Sequence, residues 1–266
     1  MMLWEYMRLI REGKPEQAET LRQSTIPSKL VKFVWLDGAA ADKKKLKTLA
    51  NNEIWVSARR YLNDPYEFKG LVLDRQKLVD AKYPEQHIDK YEELFDFDDY
   101  GVACLSANPV DYLPMWAYYT NNHQGYCIEY EVLKKGCVHE VLYEEQRVKV
   151  ASLLFQSMDA AKDAMRKGRR TPEADFFGRL LLQNLYMKDS SWQHEREYRV
   201  VFPIGTEAGK SVPVTTFGLI PSRIIAGISC SPENYDRLNA ISCELGLGGA
   251  YKCSVSDCKY GVDIIS

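Results

Sequence analysis

Short apolar segments, several of them alternating with polar positions, recur along the chain and predict strands, because strand side chains point alternately to opposite faces. The predicted strands cover residues 29–36, 53–58, 101–107, 126–131, 138–143, 192–202, 211–217, 223–229, 251–255 and 262–265. Helices are predicted over residues 1–24, 40–51, 74–95, 111–119, 147–168, 173–189 and 231–245. Strands and helices follow one another without regular alternation, which favours an α+β fold over a doubly wound sheet.

The chain length of 266 residues allows one large domain or two small ones. The sequence contains no linker long enough to divide the chain into two domains. The sequence therefore predicts a helical arm over residues 1–28 and a single α+β domain over residues 29–266. In that domain we expect a mixed sheet, strongly bent or split, with helices packed on it.

Two acids stand out in the stretch from Trp192 to Phe202. If the whole stretch were a strand, Glu195, Glu197 and Arg199 would share one face, with the two carboxylates roughly 7 Å apart. Carboxylates grouped in this way bind or process a ligand, or they form a structural ion-pair ladder with nearby arginines. Both interpretations remain open at this stage.

Further candidate side chains lie at the ends of predicted strands, where ligand sites often gather. Asn63 and Asp64 form a turn before Pro65, and they either contact a ligand or only shape the loop. Another turn runs from Asn121 to Gly125, where we expect Gly125 to supply the positive φ.

Composition narrows the class of protein. Apolar residues make up 45% of the chain, and the net charge of −2 gives no overall basic field for nucleic acid. The seven cysteines include no Cys-x-x-Cys pair, which predicts reduced thiols in a cytoplasmic protein. No apolar run is long enough for a membrane span, so no membrane partner is expected. The sequence predicts no metal site.

Three blocks of sequence together resemble a known family. They are residues 54–57 with 62–67, residues 115–119 with 125–130, and residues 188–199. Their order and spacing resemble the bacterial domain-of-unknown-function family 2971, which is similar to abortive-infection proteins of the AbiGi type. The resemblance covers about residues 29–265 and implies a context in phage defence rather than a reaction. We expect the three blocks to meet in space.

The order of strands, together with Glu-x-Glu before a strand, is also similar to ADP-ribosyltransferases. This resemblance implies that Glu197 is the catalytic acid that holds a ribose of NAD, with Glu195 as its helper. Ser57 would match the serine of the second strand. Lys32 stands where that fold has arginine or histidine, and Ser57 lacks the usual neighbouring Ser and Thr.

Three functions follow as hypotheses. The first is an NAD-consuming transferase or glycohydrolase, in which Trp192 and Arg199 also line the site and NAD is the substrate. The second is a non-catalytic module that senses a small molecule, a nucleotide or a protein through Trp116, Tyr119 and Asn63. The third is a metal-dependent nuclease that uses four acids, namely Asp64, Glu67, Glu195 and Glu197. No other cofactor is assigned, and a protein or nucleic-acid target stays open.

Overall fold

A computed structural model describes residues 3–38, 40–150, 160, 162–169 and 171–265. Its helices are α1 (Leu3–Arg11), α2 (Pro15–Ser24), α3 (Ala40–Ala50), α4 (Arg75–Asp80), α5 (Glu85–Glu92), α6 (Leu113–Tyr119), α7 (Pro172–Leu182) and α8 (Pro232–Glu244). The strands are β1 (Lys29–Val34), β2 (Glu53–Ala58), β3 (Leu71–Leu73), β4 (Tyr100–Ser106), β5 (Tyr126–Val132), β6 (His139–Glu140), β7 (Leu142–Glu144), β8 (Val148–Val150), β9 (Met187–Asp189), β10 (Glu197–Pro203), β11 (Gly209–Pro213), β12 (Leu219–Ala226), β13 (Tyr251–Val255) and β14 (Val262–Ile265). The α+β class predicted from the sequence is confirmed.

The chain divides into two compact units, each assembled from three segments. The first unit contains Met1–Ile26, Ala58–Tyr100 and His139–His194. The second contains Pro27–Ser57, Gly101–Val138 and Glu195–Ser266. The prediction of an arm followed by one domain stays a prediction.

The second unit is built on a large mixed sheet with the strand order β11-β2-β4-β1-β5-β12-β13-β14, and β10 also pairs with β4. The central strands β1, β5 and β12 pair antiparallel over long registers, whereas β12 and β13 run parallel. The pairing of β1 with β4 joins Val31 to Ser106.

Both faces of β5 are covered. Residues from Tyr126 to Tyr130 are all buried, and Glu131 is exposed. The apolar residues of one cluster come from strands and from α6, and they are Val31, Trp116, Cys127, Ile225, Cys253 and Val262. Alternation in the sequence therefore marks the two faces of β5, but it does not show that both are packed.

The N-terminal helices belong to the core of the first unit. Tyr6, Met7 and Ile10 on α1 pack with Ala18 on α2 and Leu180 on α7. The Tyr6 hydroxyl also accepts a hydrogen bond of 2.5 Å from Arg179 on α7. The predicted arm is thus packed along its apolar stripe, as amphipathic helices generally are.

Several predicted elements are interrupted in the structure. The helix predicted over 74–95 is two helices, because Lys82 is left-handed (φ 60°) and Pro84 keeps Tyr83 out of the helical region. The strand predicted over 138–143 is divided into β6 and β7, and the helix predicted over 173–189 ends at Leu182. Within the helix predicted over 147–168, residues 148–150 form β8, and residues 151–159 and 161 lie outside the described residues. Among the described helices, none has the length and apolar character to cross a membrane.

Candidate functional site

Glu195 and Glu197 are not strand neighbours, which corrects the expected geometry. Residues 190–195 form a 3-10 turn, and β10 begins only at Glu197. Between them, Arg196 is exposed and has a φ of 47°. Non-glycine residues in this left-handed region cost about 1–3 kcal/mol, and they persist where the surroundings hold them. Here the Arg196 carbonyl accepts a hydrogen bond of 3.0 Å from the Ala107 amide.

Glu197 is buried and paired with Arg199, the next residue on the same strand face. Arg199 Nε donates to Glu197 Oε1 at 2.7 Å, and a terminal guanidinium nitrogen donates to Oε2 at 3.1 Å. Glu197 is 3% exposed and Arg199 is completely buried. This pairing offsets part of the cost of removing two charges from water.

Glu195 is held through both its side chain and its backbone. The Tyr119 hydroxyl at the end of α6 donates to Glu195 Oε1. Ser106 Oγ and Asn108 Nδ2 donate to the Glu195 carbonyl at 2.6 and 3.0 Å. Ser106 and Asn108 were not among the residues predicted for the site. Their signal was available, since they are polar residues at and just after the end of β4.

Lys32 lies on β1, half-buried, and donates to the Cys104 carbonyl at 3.4 Å. Burial lowers the pKa of Lys32, and the negative charge of Glu197 acts in the opposite direction. Ser57 lies on β2, opposite Gly209 of β11. Among the described residues, its side chain bonds to neither Glu195 nor Glu197.

Trp116 belongs to the core of the second unit, which corrects its expected role in a ligand pocket. The side chain is completely buried, and its Nε1 donates to the Val110 carbonyl at 2.6 Å. Phe33 meets the indole edge-on with ring centroids 5.3 Å apart. A ligand would reach this indole only if the core opened.

In the first unit, the turn at Asn63 and Asp64 forms as the sequence predicts. Asn63 is exposed, and Asp64 Oδ1 accepts the Tyr66 amide at 2.8 Å, as a turn-forming aspartate does. Asp64 is 5% exposed, and its Oδ2 has no hydrogen-bond partner among the described residues.

Residues from two of the sequence blocks meet within the first unit. Lys188 Nζ lies 3.6 Å from Glu67 Oε1, and both side chains are almost completely buried. The same ammonium lies over the Trp192 ring at 4.7 Å from its centroid, which is the geometry of a cation–π contact. The structure thus brings Lys188, Glu67 and Trp192 together. The prediction that all three blocks form a single site stays a prediction.

A cavity of about 360 Å³ lies in the first unit beside this pair. Its lining residues are Tyr66, Lys69, Gly70, Glu144, Glu145, Gln146, Arg147, Met187, Lys188 and Asp189. Among the basic residues that line this cavity, Lys188 is buried, whereas Lys69 and Arg147 are exposed. A Cβ on Gly70 would come within 2.4 Å of Met187 Cβ, so Gly70 lets the chain pass close to β9.

Within the described part of the chain, no three histidine, cysteine or acidic side chains group closely enough to hold a metal ion. Comparison with curated proteins finds no match, and comparison with solved structures finds none either. One family model does match, over a segment that contains most of α6, all of β5, Lys188 and the start of β10. Residues 115–200 are similar to the family described as Protein of unknown function (DUF2971).

Proposed function

We propose that this chain is a non-catalytic binding module that senses a nucleotide or a protein. The observation that carries the proposal is the Glu197–Arg199 pair, in which one guanidinium occupies both carboxylate oxygens. An acid that stabilises a developing positive charge must have an oxygen directed at the substrate. Glu197 has both oxygens directed at Arg199, inside the protein, so the pair serves the fold of β10.

For the ligand we propose a nucleoside monophosphate in the cavity of the first unit. Its volume of about 360 Å³ is in the range of small-molecule sites. The exposed Lys69 and Arg147 offer positive charge to a phosphate, and Tyr66, which is 57% exposed, offers a ring face to a base. Three acids also line the cavity, which favours a ligand of low charge over a triphosphate.

The proposal is tested by one substitution with two measurements. Glu197→Gln leaves Arg199 buried beside a neutral amide, so we expect the protein to lose about 3–5 kcal/mol of stability. We expect no NAD turnover from the wild type or from the variant. Glu131→Gln is the matched control, because Glu131 is an exposed strand residue of the same unit.

A ligand screen supplies the positive evidence. Adenosine monophosphate should raise the melting temperature of the wild type further as its concentration exceeds the dissociation constant, because it binds the folded state. Lys69→Ala with Arg147→Ala should remove that rise without unfolding the protein, since both side chains are exposed. NAD hydrolysis by the wild type, lost with an unchanged melting temperature in Glu197→Gln, would overturn the proposal.

An NAD-dependent transferase or glycohydrolase is the second candidate, and the backbone of Arg196 favours it. Residues held in sparsely populated conformations cluster at functional sites. Arg196 is such a residue, and it separates two buried acids with Lys32 close enough to influence Glu197. On this proposal, Glu197→Gln lowers NAD turnover by about a hundredfold or more. Lys32→Ala lowers it as well, and Ser222→Ala, on β12 of the same unit, does not.

A role in phage defence extends either proposal. It rests on the resemblance to abortive-infection proteins, and the family match over residues 115–200 supports only the unknown-function family. Expression of the wild type should protect a bacterial culture from phage, and the Glu197→Gln variant should protect less because it folds less stably. Equal plaque counts with and without the wild type would contradict this role.

A further inference from the structure

The turn before β5 is left-handed over three successive residues. Asn121, Asn122 and His123 have φ values of 52°, 52° and 69°, and asparagine and histidine tolerate this region better than most residues. Hydrogen bonds hold the turn at both sides. The His123 amide donates to the Trp116 carbonyl at 3.3 Å, and the Ser229 amide donates to the His123 carbonyl at 3.0 Å.

Gly227 makes room for this arrangement. A Cβ on Gly227 would lie 2.1 Å from the His123 carbonyl oxygen, so any other residue there would push the turn away. Left-handed residues cost up to about 1–3 kcal/mol each, and the turn fixes the position of one side chain at its end. That side chain is the imidazole of His123, which lies parallel to the Trp116 indole with ring centroids 6.3 Å apart.

In this orientation, one ring nitrogen of His123 is available for a hydrogen bond with a ligand. Its Nδ1 is shielded from solvent and has no hydrogen-bond partner among the described residues. Burial also lowers the pKa of His123, so the ring is neutral at pH 7. A neutral imidazole carries one proton, and Nε2 is the position where water or a ligand can accept it. His123 therefore presents a single N–H donor.

His123 lines a cavity of about 610 Å³ that lies wholly in the second unit. The aliphatic walls are Leu113, Ile228, Val255 and Val262. Residues 256–261, in the loop between β13 and β14, form the rim of the cavity, where Tyr260 is fully exposed to solvent. An ion pair of 2.7 Å between Lys259 and Asp111 ties this loop to the residues just before α6.

We propose that this cavity binds a neutral, planar, heteroaromatic molecule of purine size. Aliphatic walls suit a flat apolar body, and the His123 N–H suits one acceptor atom on its edge. The charged lining residues, Asp257 and Lys259, are exposed at the rim, and Lys259 is paired with Asp111, so the aliphatic interior of the cavity suits an uncharged ligand. This cavity shares no residue with the cavity of the first unit.

The test uses adenine as the probe and the full chain at neutral pH. We expect millimolar adenine to shift the nuclear magnetic resonance signals of the His123 ring and the Trp116 indole N–H. His123→Phe keeps a flat ring but removes the donor, and the dissociation constant should rise about tenfold. Val255→Trp fills the cavity and should abolish the shifts. Val255 is 70% exposed, so this variant should fold.

Leu133→Trp is the control, because Leu133 is also an exposed aliphatic residue of the second unit but does not line the cavity. It should bind adenine as the wild type does. The proposal is overturned if millimolar adenine leaves both signals unmoved, or if Val255→Trp binds as tightly as the wild type. Adenine that binds equally to all variants occupies another place, and that result also overturns the proposal.

Discussion

Gly125 is required for a different reason from the one that its residue type suggests. The sequence predicts a positive φ at Gly125, and this is wrong, because residues 121–123 carry the left-handed conformations instead. Gly125 is needed for space, since a Cβ there would lie 2.0 Å from the Val34 carbonyl oxygen on β1. The backbone of β1 cannot withdraw cheaply, because it is hydrogen-bonded to β5 along its whole length.

Gly125→Ala should therefore destabilise the protein by about 1–3 kcal/mol or more, the usual cost of overpacking a rigid site. Gly178→Ala is the matched control. Gly178 is an exposed position within α7 where an added Cβ meets nothing within 4 Å, and alanine should stabilise the helix by about 0.5–1 kcal/mol. Urea denaturation measures both changes. Equal stability of Gly125→Ala and the wild type would mean that β1 moves freely at Val34.

Among the elements, the central strands β1, β5 and β12 are joined by a charge cluster as well as by their backbones. Glu129 on β5 accepts hydrogen bonds from Lys29 on β1 at 2.8 Å and from Arg223 on β12 at 2.8 Å. Ser222 donates to the same carboxylate at 3.1 Å. Burial would raise the pKa of Glu129, but these donors together lower it to about 2.

The stability supplied by Glu129 should depend on pH. Its pKa in the folded state lies below that of the unfolded chain, so the folded state binds fewer protons through the acid range. The contribution is complete above about pH 4.5 and is lost as the pH falls towards 2. The stability difference between wild type and Glu129→Gln should shrink over this window. Glu131→Gln, at an exposed position on the same strand, is the matched control. A constant difference from pH 6 to pH 2.5 would contradict the assignment.

At the scale of the whole molecule, each unit draws on three separate segments of the chain. The apolar cluster of α1, α2 and α7 joins the first segment of the first unit to its last. The cluster that contains Val31, Trp116 and Cys253 likewise joins all three segments of the second unit. No single cut in the chain would release a complete unit.

Limited proteolysis should therefore not yield two stable halves. This is the result expected of a single-domain protein. A first cut would fall in an exposed loop, and any fragment that separates should lose a core segment and be degraded. Mass spectrometry of the digest over time measures the result. Two long-lived fragments that each unfold cooperatively would contradict the prediction of one domain.

The sequence by itself determined the local features. Short apolar segments, alternating in β5, located β1, β2, β4 and β5. The helix predicted over residues 231–245 corresponds to α8, where Ser231 Oγ accepts the Asn234 amide. These features depend on residues within a few positions of each other, so the chain shows them directly. The pairing of Glu197 with Arg199 was accessible for the same reason, because the two residues are neighbours on one strand face.

Only the tertiary structure decided burial and distant partners. The Tyr119–Glu195 contact joins residues 76 positions apart, and no local pattern encodes it. Tryptophan is common in ligand sites, but Trp116 is buried in a cluster that includes Val31, Ile225 and Cys253, which are distant from it in the sequence. The strand predicted from residue 192 begins only at Glu197, after Arg196, which is left-handed and whose carbonyl accepts the Ala107 amide. Burial and contacts of this kind depend on which segments pack together when the chain folds. The residue type alone does not decide them, because the same side chain can lie in a core or in a binding site.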